Sequence, residues 1–309
     1  MRWRDMYRRY FSIAGITVCV ESDLDFNTIR FRPEFAQFAV DGPGDDNVTL
    51  RHHFGLPDLR DQDLGKEIYR KAPWAISRKN GSWIYLGISS DEPDPDLNRV
   101  AIFNAPHTQA TIYNPLSEKA DLSECAWNSL SRFPTDQIWL APLLADRSAT
   151  LLHSAGVILN GRGLLFVGNS EAGKSTTVIT MKAALANGSN LRRSTLEILC
   201  DDRNIVRRWE EGWRIHGTWS HGDVPDVSSK SAPLAAILFL QQDVRNEIVP
   251  VTDRKEIWKR LLTTLIKSAA TADWWEKELS ILEQMVFEVP FYMLHLDQSG
   301  AIVEKLVTL

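Results

Sequence analysis

Gly168-Asn169-Ser170-Glu171-Ala172-Gly173-Lys174-Ser175 reads G-x-x-x-x-G-K-S, the pattern of a phosphate-binding loop. Before it, Gly163-Leu164-Leu165-Phe166-Val167 is a short apolar run suited to a buried strand. After it, the run from Thr176 to Gly188 suits a helix that ends at an Asn-Gly stop. Small residues between strand and helix let successive backbone N–H groups curl around an anion. The helix N-terminus adds partial positive charge. The pattern directs Lys174 to β- and γ-phosphates and offers the Ser175 hydroxyl to Mg²⁺. ATP and Mg²⁺ are therefore the expected ligands of Gly168, Asn169, Ser170, Glu171, Ala172, Gly173, Lys174, Ser175 and Thr176.

The rest of the chain narrows the class. A length of 309 residues suggests two domains or one large one, and 44% hydrophobic residues suffice for a core. A net charge of −5 without a basic block argues against nucleic acid. The basic start from Met1 to Tyr10 is followed by no long apolar segment, so neither a signal peptide nor a membrane span is expected. Cys19, Cys125 and Cys200 are scattered without metal-ligand spacing, as expected of a reducing cytoplasm. The 11 tryptophans are assigned to cores or a subunit contact rather than to a ligand, and a homo-oligomer is an open expectation.

Residues 1–118 read as a smaller, mostly β domain, which could recruit substrate. Strands are expected over 10–21 with a bend at Gly15, then over 35–40, 48–54, 75–78, 83–88, 99–103 and 110–113. Asn80-Gly81 is a hairpin signal. His52 and His53 are neighbours on a strand and point to opposite faces, which disfavours a shared metal.

Residues 119–309 read as the catalytic domain. Leu122–Phe133 suggests a helix, and a second is expected from Thr135, an N-cap candidate, through Pro142 to Arg147. Ala149–Leu159 has a strand pattern that Asn160-Gly161 turns back into the strand feeding the loop. Leu196-Glu197-Ile198-Leu199-Cys200 leads into Asp201-Asp202, and two acids at a strand end after a phosphate loop suit Mg²⁺ binding and base catalysis. The stretch from Trp213 to Pro225, with His216, His221 and Asp223, reads as a loop beside the site. Lys255–Ile266 and Trp274–Val286 have helical spacing. A final strand over Pro290–Leu296 is expected to turn at Gln298-Ser299-Gly300 into Ala301-Ile302-Val303.

Taken together, His153, Gly168 through Ser175, and Cys200-Asp201-Asp202 resemble the C-terminal domain of the HPr kinase/phosphorylase family, with Gly217–Pro225 and Ala232-Pro233-Leu234 closer to its divergent members. The resemblance spans about Leu151 to Val307. It implies an α/β fold, a phosphoenolpyruvate-carboxykinase-like P-loop kinase domain preceded by the smaller mostly β domain. It implies Asp201 as the base that deprotonates an acceptor hydroxyl, Asp202 near the metal with Ser175, and His153 beside the catalytic aspartate. The implied activity is ATP- and Mg²⁺-dependent phosphoryl transfer to a hydroxyl, a serine of a protein or peptide first and a small hydroxyl metabolite second. Carboxykinase- or phosphorylase-like chemistry and a nucleotide-binding regulatory or assembly module are the alternatives. Two features depart from the family pattern: Glu171 stands where relatives carry glycine, and Ala232–Leu240 replaces an Arg-Gly-rich signature.

Overall fold

The computed structural model describes residues 6–27, 29–60, 62–92, 96–115, 126–169, 172–187, 193–267, 271–297 and 299–309. The chain forms two compact units. The first comprises Met1–Leu143 with Lys267–Thr271, the second Leu144–Ile266 with Ala272–Leu309. The division falls after Leu143, beyond the boundary at 118 that the sequence suggests.

Among the described residues the first unit is a nine-stranded sheet. Its strands are β1 (Tyr7–Ile13), β2 (Ile16–Ser22), β3 (Ala39–Val40), β4 (Asn47–Phe54), β5 (Lys66–Lys71), β6 (Trp74–Lys79), β7 (Ser82–Ile88), β8 (Leu97–Phe103) and β9 (Gln109–Asn114), in the order β3-β1-β2-β4-β9-β8-β7-β6-β5. Asn80 and Gly81 both have positive φ, as the two-residue hairpin requires. Three local expectations need correction. The stretch 10–21 is two strands, because Ala14 (φ 49°) and Gly15 (φ 79°) make a tight hairpin turn between Ile13 and Ile16. Phe35–Phe38 lies in a 3-10 helix that starts at Pro33, whose fixed φ suits a first turn. The expected helix over 122–133 falls partly outside the described residues, and 126–133 is turns and bends with one isolated bridge at Trp127. Here the carboxylate of Asp136 accepts the backbone N–H groups of Leu130 and Ser131, which fixes a turn. A helix α1 (Gln137–Ala145) then follows, with Pro142 inside it and Thr135 Oγ1 accepting the Gln137 N–H.

The second unit is built on β10 (Ala149–Leu159), β11 (Arg162–Val167), β12 (Leu196–Cys200), β13 (Arg203–Trp209), β14 (Gly212–His216), β15 (Ser231–Gln242), β16 (Glu247–Pro250) and β17 (Phe291–Leu296). The order is β11-β10-β13-β14-β15-β17-β16; β11 also pairs with β15, and β12 with β10. The β11–β15 and β15–β17 pairs are parallel. Helices α2 (Lys174–Asn187), α3 (Arg254–Thr264), α4 (Ala272–Glu288) and α5 (Ile302–Thr308) cover it. Alternation along the strands explains the two cores. Leu164, Phe166, Ala236 and Leu238 pack with Val178 and Met181 of α2 and Ile302 of α5. Leu165, Val167, Ile237 and Phe239 pack with Ile257 and Leu261 of α3 and Leu282 and Met285 of α4. Each such buried Leu, Ile, Val, Phe or Met side chain contributes about 1.5–3 kcal/mol relative to exposure. The residues 302 and 303, expected to continue a strand, begin α5, since two apolar residues at 302–303 and a third at 306 make one helical face. His216 ends strand β14, so the expected loop begins only at Gly217.

Candidate active site

The organising element is β10, because it changes partners halfway. Its first half pairs with β13, His153 opposite Arg203. Its second half pairs with β12 on one ladder, Gly156 opposite Cys200, and with β11 on another. The chain passes from β12 to β13 through Asp201-Asp202, so the switch in partners sets the acidic turn beside His153. A buried side chain stitches the switch: Asn204 donates to Ser154 O (2.9 Å) and to Cys200 O (3.3 Å). Gly156 makes room for it, since a Cβ there would stand 2.3 Å from Asn204 Oδ1. Ser154 N donates to Asp202 O at 3.0 Å.

Asp202 is held on three sides. Its Oδ1 lies 3.2 Å from His153 Nδ1, and its Oδ2 accepts from Ser220 Oγ (2.9 Å) and pairs with Arg203 (3.0 Å). Burial pushes its carboxyl up, but His153, Arg203 and Ser220 outweigh burial and leave it below the ordinary carboxylate range. Asp202 is thus an anion at neutral pH. His153 Nδ1 also lies 3.0 Å from Asp202 O, which favours a proton on Nδ1.

Asp201 is 2% exposed. Its Oδ1 accepts Gly222 N (2.6 Å) and its Oδ2 accepts Val224 N (3.0 Å), so it fastens the 217–230 loop over the turn. Each carboxylate oxygen keeps a second acceptor position. Gly222 is confined, because a Cβ there would stand 3.1 Å from Asp201 Oδ2.

The glycine-rich segment joins β11 to α2, and Ser170 and Glu171 lie outside its described residues. Gly173 has φ 95°, a left-handed conformation that a side chain disfavours, and Lys174 opens the helix. Lys174 is buried; its Nζ donates to Gly168 O and Asn169 O, both at 3.0 Å. Burial lowers its pKa, and the charges of Asp202 and Asp201 act against that. Thr177 donates through both N and Oγ1 to Gly173 O, bracing the first turn.

His153, Lys174, Ser175, Thr176, Asp201 and Asp202 line one cavity of about 340 Å³, with Gly173, Gly222, Asp223 and Gln242. Gly168, Asn169 and Ala172 instead line an adjoining cleft with α3. Of the histidines that the sequence singles out, His216 is buried against Trp209, and His221 Nδ1 lies 2.9 Å from Gly222 O. Neither lines the cavity. Ser220, which grips Asp202, lies within the Gly217–Pro225 stretch but is not singled out there, and Gln242, at the end of β15, carries no motif. Ser175 and Asp202 border this one cavity and are the oxygen-bearing side chains that would hold a Mg²⁺ ion there.

No protein-family model matches the chain, and no curated protein matches it. Among solved structures, that of an Hpr(Ser) kinase/phosphatase from Coxiella burnetii is similar over 51% of this chain and 86% of its own, at 10% identity and a TM-score of 0.28. A score that low carries no weight for fold or activity.

Proposed function

We propose that this protein is an ATP- and Mg²⁺-dependent kinase that phosphorylates a hydroxyl group, a serine of a protein or peptide in the first instance. The observation that carries the reading is one cavity bordered by a lysine at a helix N-terminus and by two adjacent aspartates at a strand end. A cation and a helix N-terminus bind phosphate, and a carboxylate receives the proton that a hydroxyl loses on attack. Those are the parts that phosphoryl transfer requires.

In this reading the α2 N-terminus, Lys174 and Thr176 hold the phosphates. Ser175 and Asp202 would hold Mg²⁺, which when bound would neutralise charge on the phosphate oxygens. Asp202 stays ionised because His153, Arg203 and Ser220 bond to it. The acceptor oxygen attacks the γ-phosphorus, the bond from that phosphorus to the ADP oxygen breaks, and the proton passes to Asp201. His153, which is 35% exposed, stands beside the acidic pair and orients the incoming hydroxyl. The buried, free Cys19 and Cys200 support a cytoplasmic setting.

Incubation with γ-labelled ATP, Mg²⁺ and serine-containing proteins, peptides or small alcohols should yield an acid-stable phosphate ester. Asp201→Asn should abolish the label yet still bind nucleotide. Because asparagine turns an N–H toward one of the two backbone donors at Gly222 and Val224, its melting temperature is measured alongside. A folded Asp201→Asn protein that transfers at the wild-type rate removes Asp201 as base. Nucleotide binding without transfer to any acceptor would favour a regulatory module.

A further inference from the structure

The cavity around Lys174 does not end at Thr176. Gly173, Thr176 and Gln242 also line a second cavity, of about 370 Å³. That is within the range of small-molecule sites, roughly 300–1,000 Å³. Its walls come from the outer side of α2 and from the chain just past β15 and β17. Strands β11, β15 and β17 run parallel, so their C-terminal ends share one edge, the edge where ligands sit in open α/β sheets.

The lining is divided by chemistry. Ala172, Val244 and Leu296 give an apolar wall, beside the methyl- and hydroxyl-bearing Thr176, Thr177 and Thr180, and Val244 is 85% exposed, a large aliphatic side chain with little covering it. Gln242, Asp243 and Asp297 give a polar rim dominated by acceptors. The rim is fixed in place: Asp243 accepts from Arg245 and lies 3.2 Å from His295 Nδ1, and Asp297 Oδ1 accepts Ser299 N at 2.9 Å. An anionic rim repels phosphate but accepts N–H and O–H donors. Thr180 is one helical turn beyond Thr176, about 6 Å along the axis. That is the reach of a sugar and base attached to phosphates seated at Lys174.

The cleft on the opposite flank of the loop has a different character. It is bordered by Glu256, Lys259 and Arg260. Arg260 pairs with Glu256 at 2.7 Å and sits 5.4 Å from the Phe239 ring centroid. Such a cationic lining suits an anion more than a flat heteroaromatic ring.

We propose that the second cavity, between α2 and the ends of β15 and β17, takes the nucleoside moiety of the nucleotide whose phosphates sit at Lys174. The base lies on Thr180, Leu296 and Val244, and donors of base or ribose meet Gln242 and Asp297. The proposal rests on the reading of Lys174 and Ser175 as the phosphate site.

Titration calorimetry with ATP and with inorganic tripolyphosphate, each with Mg²⁺, separates the two. The wild type should bind ATP at least about 10-fold more tightly than tripolyphosphate, the excess reporting nucleoside contacts. Thr180→Trp fills the cavity and should bring ATP down to the tripolyphosphate level while tripolyphosphate binding stays within about twofold. Val244→Ser, at an exposed position that leaves folding intact, should weaken ATP about threefold and leave tripolyphosphate unchanged. If both ligands bind but neither substitution alters their ratio, the nucleoside lies elsewhere and the proposal fails alone. If the wild type binds neither, the phosphate site itself is wrong.

Discussion

Both sheets bury polar side chains, but they use them differently. In the first unit the buried groups close on one another. Asp136 accepts from Leu130 N, Ser131 N, Ser131 Oγ and Trp139 Nε1. His52 Nε2 lies 2.9 Å from Leu130 O and its Nδ1 lies 3.2 Å from Asn114 Nδ2, while Asn114 Oδ1 accepts from Arg99. Burial lowers the pKa of His52 well below the ordinary range, so it is neutral. In the second unit Lys174, Asp202 and His153 are equally well held, yet they border open space. Buried polarity alone therefore does not mark a site. A held charge that faces a cavity does.

The comparison predicts opposite responses to substitution. Lys174→Ala should lower phosphoryl transfer by about 10²–10³-fold, as for loss of one preorganised charge-stabilising donor, with little change in melting temperature. Asp136→Ala should do the reverse, costing about 3 kcal/mol of stability through lost hydrogen bonds and leaving ATP affinity of the folded protein unchanged. If Asp136→Ala alters ATP affinity in protein that remains folded, the distinction collapses.

A third case sharpens it within the second unit. Glu278 on α4 is 1% exposed, its Oε2 finds no hydrogen-bond partner among the described residues, and burial raises its pKa to about 8, with Thr150 acting weakly against that. A carboxyl raised above its unfolded value binds more protons when folded. Its protonated form therefore supports the fold below the unfolded pKa, and that support is lost as pH rises through about 8. Denaturant titrations from pH 5 to pH 9 should show stability falling by about 4 kcal/mol, and Glu278→Gln should flatten the slope. Ser220→Ala should cost about 1 kcal/mol and raise the Asp202 pKa, seen as transfer failing at a higher pH on the acid side. The exposed pair Lys182–Asp226, at 3.0 Å, marks the small end: Lys182→Ala should change stability by less than about 0.5 kcal/mol.

Much of the frame was legible because its signals are local. Asn80-Gly81 and Asn160-Gly161 demand positive φ, and both have it. At Ala14-Gly15 the sequence suggests only a bend at Gly15 and not a full hairpin, because alanine rarely takes that conformation. Strand β5 (Lys66–Lys71) went unread because it is mostly exposed and charged, so no alternation appears. Strand β13 carries Arg203, Arg207 and Arg208 and looks like surface until its pairing with β10 is known. The motif residues Lys174, Asp201 and Asp202 were legible, and they do line one cavity. Invisible were the groups that hold them: the backbone N–H groups of Gly222 and Val224 on Asp201, and Ser220 on Asp202. Those contacts depend on the 217–230 loop returning over the β12–β13 turn, which no short-range pattern encodes.

The central claim is that the cavity at Lys174, Asp201 and Asp202 holds a magnesium nucleotide. Equilibrium titration of ATP into wild-type and Lys174→Ala protein, with and without Mg²⁺, tests it most directly. The predicted result is Mg²⁺-dependent binding by the wild type that Lys174→Ala weakens by at least about 10-fold, or about 1.4 kcal/mol. Absence of ATP binding by the wild type, or binding that Lys174→Ala leaves intact, would contradict the claim.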